Sequence, residues 1–105
     1  MRVIVAGAGT LGRRVARYVG EKHDVTIVEQ SRERCESVTG EFQSWGKIRV
    51  LRGDIDEPAI LVEAGVDRAD VFVAATGHDE DNLVGCLLAK NEFNCLLYTS
   101  PSPRD

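Results

Sequence analysis

Arg2 to Ala6 is a continuous β-branched run without polar alternation, the pattern of a strand covered on both faces. After a glycine-rich stretch, Leu11, Val15 and Val19 recur at i, i+4 and i+8 with Ala16 beside them, while Arg13, Arg14 and Arg17 fall largely off that stripe. The spacing predicts an amphipathic helix ending at Gly20. Val25 to Val28 predicts a second strand closing on Glu29, and Ser31 suits the N-cap of a helix whose Cys35, Val38 and Phe42 share a face. Ile48 to Leu51 predicts a third strand, with Gly53-Asp54 at its exit. Asp56 suits the cap of a third helix, with Pro58 in its first turn, Ile60, Leu61 and Ala64 facing inward, and Gly65 as its stop. Val71 to Ala75 predicts a fourth strand. Thr76-Gly77-His78 predicts a turn, and Asp79 to Phe93 predicts a fourth helix striped by Leu83, Val84, Leu87 and Leu88.

Strands alternating with helices over short connections require parallel strands with right-handed crossovers. The expected fold is therefore α/β, a Rossmann-like parallel sheet with helices on both faces, truncated after the fourth βα unit. Residues 95–105 break the pattern: Cys95 to Thr99 has the composition of a strand, but Ser100-Pro101-Ser102-Pro103 ends any element. This string also resembles an in-frame translation of a transposase sequencing adapter. It predicts a nucleotide-binding domain over 1–94 and a non-native, adapter-derived tail over 95–105.

A length of 105 residues fits one small domain. The formal net charge of −4 argues against broad binding to nucleic acid. No apolar run approaches the ~20 residues of a membrane helix, and the chain enters a strand pattern at once, which predicts no signal peptide. Cys35, Cys86 and Cys95 lack metal-ligand spacing and read as reduced cytosolic thiols.

Gly7-Ala8-Gly9-Thr10-Leu11-Gly12 fits G-x-G-x-x-G between a strand and a helix, the context that gives the motif meaning. Gly7 permits the tight turn, Gly9 lets a pyrophosphate approach the backbone, and Gly12 lets helix and strand pack closely. The phosphates then meet free N–H groups and the positive end of the helix dipole. Glu29, about 20 residues beyond the glycines, can accept hydrogen bonds from ribose hydroxyls and repel a 2′-phosphate, favouring NAD(H). Arg32 and Arg34 follow closely and are able to neutralise such a phosphate instead. Asp54, Thr76 and Gly77 lie at the exits of the third and fourth strands, where ligands of doubly wound sheets sit. Asp54 equally suits a helix cap. His78, Asp79, Glu80 and Asp81 suit the start of a helix better than a metal or acid–base site.

Taken together, Val3 to Gly12, Val25 to Glu29, Gly53-Asp54, Leu61 to Val66, Ala69-Asp70 and Ala74 to Leu83 resemble the N-terminal nucleotide-binding domains of potassium-transport regulators. These are the Trk system potassium uptake protein TrkA family and the RCK (KTN) domains of potassium channels. The block from Glu63 to Leu83 separates this family from generic dehydrogenases. The resemblance implies a regulator and not a catalyst, binding NAD(H), or ATP or ADP, through Gly7 to Leu11, Glu29, Asp54, Thr76 and Gly77. It also implies assembly as a homo-oligomer, a dimer or a ring, on a membrane potassium-transport subunit at the cytoplasmic face. Ile55 departs from the small residue usual after Gly-Asp and is expected to crowd the adenine side. The tail is expected to replace the family's fifth strand. The alternatives are the cofactor-binding fragment of an NAD-dependent oxidoreductase and a redox sensor acting through Cys35 and Cys86.

Overall fold

The computed structural model describes residues 1–75 and the backbone of 96–99. Its strands are β1 (Arg2–Ala6), β2 (Asp24–Glu29), β3 (Ile48–Arg52), β4 (Val71–Ala74) and β5 (Leu96–Thr99). They form one sheet in the order β3-β2-β1-β4-β5, and every pair is parallel. Strand order reverses between β1 and β4, so the chain has the Rossmann topology, with its switch point at the carboxyl ends of these two strands. The turn from Gly7 to Gly12 leaves the sheet there.

Helices α1 (Thr10–Val19) and α2 (Arg32–Glu41) cover one face, and α3 (Pro58–Ala64) covers the other. Alternating strand residues divide accordingly. Val3, Val5, Val25 and Ile27 pack with Ala16, Val38 and Phe42, whereas Ile4, Ala6, Val28 and Phe72 pack with Leu61, Ala64 and Val66. The near-continuous apolar runs of β1 and β2, interrupted in β2 by the buried Thr26, follow from this double coverage.

The inner face of α1 differs from the expected stripe. Leu11 is 41% exposed, while Gly12, Ala16 and Gly20 are buried. A β-carbon on Gly12 would stand 2.0 Å from the Gly7 carbonyl oxygen, and one on Gly20 would stand 2.5 Å from Ile48 Cδ1. The helix lies so close to the turn and sheet that its smallest residues must face inward. Val15 and Val19 flank the contact, half-buried.

Capping of α2 matches expectation, with Ser31 Oγ accepting the Arg34 N–H at 3.3 Å and Cys35, Val38 and Phe42 buried. For α3 the N-cap is Glu57 and not Asp56, because Pro58 occupies the first helical position and sets the start one residue later. Ile55 is buried at 4% exposure among Ile4, Leu61 and Phe72. It therefore does not crowd the adenine side: the turn after β3 points it into the core. Residues 96–99, expected outside the fold, pair along β4 from Val71↔Leu96 to Ala74↔Thr99. Leu96-Leu97-Tyr98-Thr99 is strand-forming in composition, and β4 would otherwise present an unpaired edge. The expected fourth helix lies outside the described residues.

Candidate nucleotide site

Backbone hydrogen bonds carry the sheet past its strand ends and bring the site residues to one edge. Gly7 N–H donates to Val28 O at 2.8 Å, Gly53 N–H to Glu29 O at 3.0 Å, and Ala75 N–H to Ala6 O at 2.8 Å. Gly7 has φ 111°, a left-handed conformation that side chains resist. The turn therefore needs glycine at its first position.

Gly9 is the N-cap of α1 and makes no side-chain cap, and the first turn contains no acidic residue. The first helical bond runs from Arg13 N–H to Gly9 O at 3.0 Å. The helix's own first turn thus supplies neither a side-chain cap nor an acid to the N–H groups that precede Arg13. A β-carbon on Gly9 would meet no heavy atom within 4 Å among the described residues. Anion-stabilising donors and room for close approach coincide at this point.

Glu29 is only 7% exposed and sits against the turn. Its Oε1 accepts the Ala8 N–H and its Oε2 accepts the Ser31 N–H, each at 2.7 Å. The acid is a buried bracket between the glycine turn and the start of α2, and not a solvated strand end. Each oxygen keeps a second lone pair, so these bonds leave acceptor capacity for hydroxyl donors.

Asp54 stands at the same sheet end, but its Oδ1 accepts the Asp56 N–H at 2.9 Å, an Asx turn that shapes the entry to α3. Thr76 and Gly77 lie outside the described residues, as do His78, Asp79, Glu80 and Asp81. The structure therefore brings Gly7 to Gly12 and Glu29 into direct contact and places Asp54 one strand away, occupied in its own turn.

One contributor escaped the sequence reading. Arg13 Nε donates to the Ala8 carbonyl at 2.9 Å. Its position off the apolar stripe suggested a solvated charge. The available signal was its place directly after Gly12, one helical turn beyond Gly9.

Cys35 is buried beneath the site, and its Sγ donates to the Glu29 carbonyl at 3.2 Å. Burial pushes its thiol pKa up, the Glu29 carboxylate adds to the rise, and Arg52 opposes it. A raised pKa means less thiolate at neutral pH. Alkylation of Cys35 by iodoacetamide at pH 7, followed by peptide mass spectrometry, is expected to be roughly tenfold slower in the folded chain than in denaturant. Equal rates would return Cys35 to consideration as a sensor. Cys86, the other thiol of that reading, lies outside the described residues. Among the described residues no cluster of His, Cys, Asp or Glu is suited to hold a metal ion, and no helix is long and apolar enough to cross a membrane.

Over residues 3–99 the chain matches the family model of the TrkA-N domain. It is 40% identical over 92 residues to a Trk system potassium uptake protein TrkA homolog of Pyrococcus abyssi, covering 87% of this chain and 39% of that protein. A homolog of the same name from Archaeoglobus fulgidus is 41% identical over 90 residues, covering 86% of this chain and 20% of that protein. The Trk system potassium uptake protein TrkA of Vibrio alginolyticus is 37% identical over 95 residues, covering 90% and 20%. The chain thus spans from one fifth to two fifths of the length of these relatives.

Among solved structures, a 3-hydroxyacyl-CoA dehydrogenase of Archaeoglobus fulgidus superposes with a TM-score of 0.76 at 20% identity, over 97% of this chain and 34% of that one. A putative short-chain dehydrogenase/reductase family oxidoreductase of Aeromonas hydrophila gives 0.66 at 18% identity, over 93% and 58%. At these identities the likeness is one of fold.

Proposed function

Because this chain belongs to the TrkA-N family, we propose that it is the NAD(H)-sensing domain of a potassium-transport regulator. One observation carries the ligand reading: the uncapped N-terminus of α1 opens at Gly9 directly beside the buried Glu29 carboxylate. The helix end supplies N–H donors and positive potential to a pyrophosphate. Glu29 supplies acceptors to ribose hydroxyls and a negative charge that disfavours a 2′-phosphate. Of the two nearby arginines, Arg32 pairs with Glu36 at 3.3 Å, which makes it less available to such a phosphate.

The family relatives are named for potassium uptake, and the dehydrogenase likenesses extend only to fold. Sensing is therefore the stronger reading and hydride transfer the weaker. In this role the nucleotide acts through unequal affinity for two conformations of an assembly. The assembly is a dimer or ring of such domains bound to a membrane potassium-transport subunit. Asp54, Thr76 and Gly77 complete the proposed pocket on the adenine and ribose side.

Calorimetric titration of the chain with NAD⁺, NADH, ATP and NADPH tests this reading. NAD⁺ or NADH is expected to bind, with NADPH weaker by about tenfold or more, since opposing a 2′-phosphate to a carboxylate costs at least ~1.4 kcal/mol. NADPH binding as tightly as NADH would remove the discriminating role of Glu29. Binding by none of the four would overturn the reading.

A further inference from the structure

Resting on the nucleotide reading above, we infer that Arg13 is a positioning residue that fixes the glycine turn and links it mechanically to α2. One guanidinium makes three contacts. Nε donates to the Ala8 carbonyl at 2.9 Å, Nη1 to Glu41 Oε1 at 3.1 Å, and Nη2 to Ser37 Oγ at 2.9 Å. The first acceptor belongs to the glycine turn and the other two to α2. Glu41 in turn receives Arg17 through its other carboxylate oxygen, so Arg13 and Arg17 of α1 share one acid of α2.

Peptide geometry explains the effect on the turn. In a planar trans peptide the carbonyl and the following N–H point in opposite directions. Holding the Ala8 carbonyl towards Arg13 therefore aims the Gly9 N–H the other way, away from the guanidinium. The preceding peptide is held independently, its Ala8 N–H on Glu29. A carboxylate and a guanidinium thus grip successive peptide planes of the turn. Arg13 is itself only partly exposed, at 29% of its side chain, so its fork works with reduced competition from water.

A displacement of α2 is passed through Glu41 and Ser37 to Arg13, and from Arg13 to the donor that faces the phosphate. By reciprocity, a bound phosphate that pulls on Gly9 biases α2 by the same free energy. α2 thereby becomes the element on which nucleotide occupancy is read.

The informative variant is Glu41→Gln, since Glu41 lies on α2 and bonds Arg13 and Arg17 of α1, not the turn itself. NAD⁺ affinity by calorimetry and the Gly9 amide resonance of the unliganded chain would be measured for Arg13→Gln, Glu41→Gln and the double variant, with urea unfolding as the stability control. Arg13→Gln is expected to weaken NAD⁺ by about tenfold, the loss of one charge-assisted hydrogen bond. Glu41→Gln is expected to weaken it roughly three- to fivefold, and the double variant no more than Arg13→Gln alone. Both single variants should shift the Gly9 amide. Should Arg13→Gln fail to fold, Arg13→Lys keeps the charge without the fork and is expected to bind at an intermediate level. Lowered stability with unchanged NAD⁺ affinity would make the contacts merely structural and overturn the inference. An unmoved Gly9 amide in Glu41→Gln would overturn it whether or not NAD⁺ binds. Failure of the wild-type chain to bind NAD⁺ would instead strike the nucleotide reading.

Discussion

Glu29→Ala is expected to destabilise the chain by about 2–4 kcal/mol and to weaken NAD(H) by roughly 10- to 100-fold. The stability loss has a local origin. The buried carboxylate satisfies the Ala8 N–H and the Ser31 N–H, both at 2.7 Å, and alanine leaves both donors without it. Hydrogen bonds to a charged group contribute about 1.5–3 kcal/mol each, and water entering the space left by the side chain recovers part of that. The affinity loss has two sources: the missing ribose acceptor and a glycine turn no longer held at Ala8. Glu29→Gln separates them. An amide keeps one oxygen to accept and turns its NH2 towards the other backbone donor, so one bracket contact survives. Its stability should fall between wild type and Glu29→Ala, measured by urea unfolding. A Glu29→Ala chain as stable as wild type would show that the bracket is not holding the turn.

Gly12→Ala should be nearly as damaging, by the opposite route of added bulk. Its new methyl would stand 2.0 Å from the Gly7 oxygen and 3.0 Å from the Gly7 carbonyl carbon, against backbone that cannot rotate away. Gly7 already holds φ 111° and is tied to β2 through the Val28 carbonyl. The helix or the turn must therefore shift, at a cost of about 2–3 kcal/mol typical of overpacking. The same shift misaligns the N–H groups at the start of α1, so NAD(H) binding should fall beyond detection in an ordinary titration. Gly40→Ala supplies the contrast. It lies on α2, where an added methyl would meet nothing within 4 Å among the described residues, and gains about 0.5–1 kcal/mol from helix propensity. Equal stabilities for the two variants would refute the close approach of α1.

The strands and the glycine turn were legible because parallel sheets covered on both faces leave near-continuous runs of apolar and β-branched residues. Val3-Ile4-Val5-Ala6 and Val25 to Val28 carry that signature without help from the rest of the chain. The inward face of α1 was less legible. Periodicity favours Leu11 by its hydrophobicity, but distance favours Gly12, and only the fold reveals how near the Gly7 oxygen lies. Ile55 misled for a related reason: its sequence neighbours Gly53 and Asp54 belong to the site edge, while its own side chain turns to the core. The position of Glu29 was legible from its spacing to the glycines. Its bonds to Ala8 and Ser31 were not, since they join residues far apart or lie in a turn whose geometry periodicity does not encode. Arg13 escaped notice because a charge off an apolar stripe is normally solvated, and its acceptors come from a different helix.

The central claim is that the glycine turn receives the nucleotide at the N-terminus of α1. Its most direct test is an amide-resolved NMR titration of the isotopically labelled chain with NADH. The amides of Gly9, Thr10 and Leu11 should move most, saturating together with those flanking Glu29, while Gly46 and Gly65 at the opposite end of the sheet stay in place. Saturable binding that leaves Gly9 to Leu11 unmoved and shifts the opposite end would contradict the account.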